Sequence, residues 1–191
     1  MRIGSIVAAV LCLTGLSAAP ALAQGATAGL EAGVSMSRLS PDGPGQSISR
    51  GAGFLAGGYV TVPVFATIGL QLELVYAQKN SHLTSSSDLK LDYIEVPILA
   101  KLKLVKGLYL AEGVAIGFPV RARISSSSGS DLDIKNQINS PEIGMVIGGG
   151  IPVKNFAIEF RYEGGFKLVI DTPGAPLQRN RSLSLIARVH F

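Results

Sequence analysis

Only a few residues of this chain have the types and spacing for covalent chemistry. His82 stands near Ser85, Ser86 and Asp88, the side chains of a base, a nucleophile and an orienting carboxylate. Nothing in their spacing holds the groups in order, and no Gly-x-Ser-x-Gly elbow presents a serine on a strained turn. A solvated polar loop accounts for them, so no catalytic residue is expected. Asp131 and Asp133 bring two carboxylates to a serine-rich stretch, short of the roughly six to eight oxygens that Ca²⁺ takes. No metal and no cofactor is expected.

Charge is the richer signal. Lys and Arg number 17 against 13 Asp and Glu, and the sequence pI is about 9.3. Arg38, Arg50, Lys79, Lys90, Arg121, Arg123, Lys135, Lys167, Arg179 and Arg181 fall in or beside polar connections. Aromatic residues are not interleaved with them, which argues against nucleic acid. A second set, Glu31, Glu73, Glu95, Lys101, Glu159, Arg161, Glu163 and Arg188, alternates with apolar neighbours. Alternation of that kind belongs to strands, whose successive side chains point to opposite faces.

The clearest strand closes the chain, where Leu183, Leu185, Ala187, Val189 and Phe191 share one parity and Ser182, Ser184, Arg188 and His190 the other. A first strand sets Ala28, Leu30, Ala32, Val34 and Met36 against Gly29, Glu31, Gly33 and Ser35. Others are expected over residues 53–62, 68–79, 91–104, 108–123, 143–151 and 156–162, each with one apolar parity. The fifth is irregular, because Glu112 shares the parity of Leu110, Val114, Ile116 and Phe118. Either a bulge near Gly113 resets the alternation, or Glu112 sits at an interface.

Connections at 63–67, 105–107 and 152–155 are short, those at 39–50, 80–90, 124–139 and 165–180 are long and polar, and the two kinds alternate. Mean hydropathy is high at +0.38, yet no uninterrupted apolar run of about 18 residues could span a membrane as a helix. Strands with one greasy face resolve this. With the charges on the opposite parity, grease lies outside and charge inside, the reverse of a ligand-holding soluble barrel. The expectation is all-β: a single antiparallel up-and-down transmembrane β-barrel of about eight strands, termini and short turns periplasmic, long loops extracellular. The 23 glycines fit crowded strands, and without Trp only Tyr and Phe can form an aromatic girdle.

Export is expected as well. Met1 and Arg2 precede an apolar run and a small-residue stretch ending Ala21-Leu22-Ala23, the pattern of a signal peptide over 1–23 cleaved before Gln24. Cys12 follows Ala9-Val10-Leu11 rather than a small residue, so lipidation is not expected. The barrel domain, 24–191, holds no cysteine for a disulfide or thiol chemistry.

Three segments carry a resemblance: Leu70-Gln71-Leu72-Glu73-Leu74-Val75-Tyr76-Ala77-Gln78-Lys79, Leu91-Asp92-Tyr93-Ile94-Glu95-Val96-Pro97-Ile98-Leu99-Ala100-Lys101 and Gly107-Leu108-Tyr109-Leu110-Ala111-Glu112-Gly113. They resemble the PorT-like outer-membrane β-barrel family, with the Tyr-Ile-Glu-Val-Pro-Ile-Leu-Ala-Lys core the most specific part. The resemblance implies a Gram-negative outer-membrane barrel, often labelled porin-like, with a named member linked to secretion and gliding machinery. It implies no catalytic residues.

Function is expected to be structural or surface-interacting, or that of an envelope or secretion accessory, with a side-chain-filled lumen. A small passive porin-like channel is the alternative, and a lipid-modifying enzyme a distant third. Phe191, Val189, Leu185 and Leu183 are the expected signal to the barrel assembly machinery. Arg38, Arg50, Lys79, Lys90, Arg121, Arg123, Arg179 and Arg181 are candidate contacts for lipopolysaccharide, whose phosphates suit Arg forks and Lys point charges. If first and last strands are flush, Ala28 faces Phe191 and Glu31 faces Arg188.

Overall fold

Residues alternating between apolar and polar form strands here because each then buries one face and offers the other to a second medium. The computed structural model describes residues 25–41, 49–84, 87–126, 131–135, 138, 140–166 and 178–191. The expected signal peptide, Ser85, Ser86 and Lys167 lie outside them.

The strands are β1 (Thr27–Pro41), β2 (Ser49–Pro63), β3 (Ile68–Gln78), β4 (Ser81–Thr84), β5 (Ser87–Lys103), β6 (Tyr109–Ser126), β7 (Asp131–Asp133), β8 (Glu142–Val153), β9 (Phe156–Gly165) and β10 (Gln178–His190). Setting aside the short β4 and β7, each long strand pairs antiparallel with the next, and β10 returns to β1. The result is a closed eight-stranded barrel without an open edge. At the seam the ladder runs from Gly29 opposite His190 to Pro41 opposite Gln178. The Phe191 N–H donates to the Ala28 carbonyl at 3.0 Å, so the two ends are flush.

Outward side chains form an apolar belt. Leu70, Leu72 and Leu74 on β3 and Ile158 and Phe160 on β9 are exposed, whereas their inward neighbours Gln71, Glu73, Glu159 and Arg161 are buried. Burial in this barrel thus means lumen. Exposure of large apolar side chains on so long a ring of strands calls for lipid rather than water.

One expectation is corrected, and one pair of alternatives is decided. Part of the long connections is strand: β4 pairs with β2 and β5, β7 pairs with β6, and β5 and β6 stay paired out to Ser87 and Ser126. The ladder also runs unbroken through Gly113, where an added Cβ would collide with the Ile98 carbonyl oxygen. The irregularity sits higher on β6, where Asp92 pairs with Arg121 and Tyr93 with Pro119, leaving Val120 as the extra residue. Above it Ala122 faces in while Arg121 and Arg123 face out. Glu112 therefore keeps the outward parity and is exposed near the short-turn end.

Candidate functional site

The inward parity of four strands delivers one network at mid-barrel. β10 supplies Arg188, β9 Glu159 and Arg161, β1 Glu31, and β3 Glu73. Arg188 is 1% exposed. Its Nε donates to Glu31 Oε2 at 2.8 Å, one terminal nitrogen to Glu73 Oε1 at 2.7 Å, and the other to Glu159. Arg161 forks onto Glu73 with two bonds of 2.7 Å and donates through Nε to Glu159 at 2.9 Å. Tyr109 of β6 donates to Glu159 at 2.9 Å, and Gln71 to Glu73. Two fixed guanidinium forks thereby hold three carboxylates, the geometry that bidentate pairing favours.

Lys79 is placed differently from the expectation. Expected as a lipopolysaccharide contact beside a polar connection, it has its side chain 5% exposed inside the lumen. Position near a strand end suggested the rim, whereas its parity is that of Glu73, Val75 and Ala77, which face inward. The neighbouring strands continue past it, and its N–H donates to the Leu91 carbonyl. The ammonium meets Glu95 at 2.5 Å and Glu163 at 2.6 Å, and lies 5.2 Å from the centre of the Tyr93 ring. A third carboxylate, Glu142, is buried on the same side of the lumen, beside Tyr93 and Asn180.

The eight residues grouped from sequence thus divide. Glu31, Glu73, Glu159, Arg161 and Arg188 form the central network, Glu95 and Glu163 join Lys79, and Lys101 stands apart over the Tyr109 ring at 3.9 Å. Beside Lys79 a cavity of about 20 Å³ touches Ser35, Glu95, Arg161, Glu163 and Ser182, room for about one water. At the long-loop end the lumen is filled by Leu39, Leu89, Leu91, Tyr93, Ala122, Ile134 and Ile138. That apolar layer was missed, although Leu39, Leu89 and Leu91 continue the inward parity of β1 and β5.

On the outer wall, Arg38, Arg50 and Arg181 border one cavity of about 80 Å³ with Met36, Tyr162 and Leu183. Arg38 and Arg181 are cross-strand partners, an arrangement that like charges disfavour unless an anion lies between them. They sit immediately above the apolar Met36 and Leu183 of the belt. The other candidate cations are elsewhere: Lys90 faces Arg123 across β5 and β6, Arg121 is 3.7 Å from Asp92, and Arg179 is opposite Ser40. Phe191 is exposed at the short-turn end, with Val189 half-buried and Leu183 and Leu185 in the outward row above it. His82 and Asp88 meet at 2.6 Å across β4 and β5, on the surface.

An eight-stranded antiparallel barrel, greasy outside and ion-paired within, defines an integral transmembrane β-barrel. The chain belongs to the outer membrane protein beta-barrel domain family, which matches residues 22–171. The barrel is similar to the crystal structure of Neisserial surface protein A (NspA), with 17% identity, a TM-score of 0.62, and 88% of this chain and 100% of that chain covered. It is also similar to Ail, the attachment invasion locus protein of Yersinia pestis, in complex with the heparin analogue sucrose octasulfate. There the identity is 17%, the TM-score 0.54, and the coverage 87% of this chain and 99% of that chain. At such identity the likeness is one of fold. No curated protein sequence matches the chain.

Proposed function

We propose that this outer-membrane barrel is a closed, non-enzymatic protein that works through its surface, as a structural or surface-interaction protein or an accessory of an envelope or secretion complex. The observation that carries the reading is the Arg188 network, which ties β1, β3, β9 and β10 together across the lumen. A barrel of about eight strands is filled by its own side chains, and charges fixed to one another leave no mobile polar path. The PorT-like segments support the secretion-accessory form of the reading.

In this reading residues 1–23 direct export, the short turns and termini are periplasmic, and the closing strand ending at Phe191 engages the barrel assembly machinery. The Arg38–Arg50–Arg181 cluster, just above the belt, contacts phosphates of lipopolysaccharide. Recording from the refolded protein in planar bilayers tests the closed lumen. No steady conductance is expected, and resolved channels would replace this reading with a small passive channel. The surface contact between His82 and Asp88 favours the enzyme only weakly, and an unchanged lipid A profile in a deletion strain is expected.

A further inference from the structure

At the short-turn mouth the lumen opens into a cavity of about 370 Å³, with Arg188 in its floor and Tyr59, Thr61, Lys101, Leu108 and Tyr109 among its walls. Arg188 adds little unspent charge, because each of its three nitrogens already meets a carboxylate. Lys101 differs. It is half-buried, its ammonium is held over the Tyr109 ring at 3.9 Å, and among the described residues no carboxylate lies within ion-pair distance of it. A desolvated cation beside an open cavity attracts an anion more strongly than a solvated one. Lys103 adds to the same sign at the mouth, and Leu104, Pro152 and Ala157 make the remaining wall largely apolar.

We propose that this cavity binds a small organic carboxylate with an apolar body, the head on Lys101 and the body against Leu108, Tyr109 and Ala157. Its volume lies at the small end of the roughly 300–1,000 Å³ range of ligand sites, which suits one ring or a short chain. One ammonium is a point charge matched to a monoanion, whereas the Arg188 fork that a phosphate would engage is already occupied. The site stands independently of the surface role proposed above; only its access from the periplasm rests on that orientation.

Fluorine NMR titration of the refolded barrel in detergent with para-trifluoromethylbenzoate tests this. Saturable binding is expected, weaker by about tenfold or more for para-trifluoromethylbenzyl alcohol and for Lys101→Met, with Lys101→Arg within about threefold of wild type. Leu108→Glu, which puts a like charge at the rim and leaves Lys101 in place, is expected to weaken binding too. Heat-modifiable migration on gels reports that each variant is folded. Equal binding by wild type and Lys101→Met, equal binding of acid and alcohol, or no saturation would overturn the proposal. Displacement by inorganic phosphate at the same concentration as the benzoate would also overturn it, marking a site for bare anions. None of these results depends on conductance, so the site and the closed-lumen reading fail separately.

Discussion

Glu31 and Arg188 face each other across the seam where β1 meets β10, joined by a bond of 2.8 Å from Arg188 Nε to Glu31 Oε2. A barrel exists only if its first and last strands find each other, and the pair lies on that junction. A slip of β10 by one residue would turn Arg188 toward lipid and Val189 toward the lumen, because strand faces alternate with period two. The contact therefore selects the register as well as the partner.

Arg188→Met should destabilise the barrel by about 3–5 kcal/mol, because it leaves a buried carboxylate cluster with too few cations. Urea unfolding from lipid vesicles measures it. Flush ends alone would suggest that Arg188→Glu with Glu31→Arg largely restores stability. The structure predicts partial rescue, since Glu73 and Glu159 also lie on Arg188 and the reversed pair would set both of them against another carboxylate. Full recovery would show that those two contacts contribute nothing.

Lys79→Met should likewise lower stability, because Glu95 and Glu163 both converge on the ammonium. Adding Glu95→Gln to that variant removes one uncompensated charge and should recover part of the loss. A surface lysine at this position would give a change within about 0.5 kcal/mol for the single variant. The urea midpoint distinguishes the two.

Strand identity and facing were legible because period-two alternation is written directly into residues such as Leu70 to Leu74 and Phe156 to Arg161. Strand length was not, because the membrane imposes the pattern only across its own thickness. Beyond it β1, β5 and β6 continue by pairing with their neighbours, with polar residues on the solvent side. Lys79 was misplaced for that reason: its parity was correct in the sequence and its height was not. The apolar layer of Leu39, Leu89 and Leu91 was hidden within otherwise polar segments, and the extra residue at Val120 is marked only by the adjacent Pro119, which cannot donate to the ladder. The division of the lumen charges into two groups depends on stagger between strands, which a single sequence does not encode.

Arg38 and Arg181, paired across the seam, should behave oppositely with and without anionic lipid. In detergent free of phosphate, Arg181→Gln relieves a like-charge pair and should leave stability unchanged or slightly raised. With lipopolysaccharide present, wild type should gain stability by binding, and the variant should gain less. The wild-type gain should shrink with added salt, as exposed charge contacts are screened. Lys90→Gln, on the β5–β6 side of the barrel, should leave the gain intact. Thermal unfolding in the two lipid conditions checks this, and an equal gain in Arg181→Gln would remove the arginine cluster from lipid recognition.

An ion crossing the lumen would meet three layers in series: the apolar residues around Leu39 and Leu91, the Lys79 group, and the Arg188 network. Barriers in series are governed by the highest, so loosening one layer should not produce conduction. Leu91→Ser should admit water at the long-loop end and still give no steady current, because the two charged layers remain tied. Lys79→Met alone should also stay closed, with the Arg188 network intact below it. Only when the central network is broken in addition, as in Leu91→Ser with Lys79→Met and Arg188→Met, should brief openings appear in a barrel that still shows heat-modifiable migration. Planar-bilayer recording across this series reads the order of the layers. Resolved wild-type channels would show that the network opens on its own, and conduction by Leu91→Ser alone would make the apolar layer the gate instead of the charges.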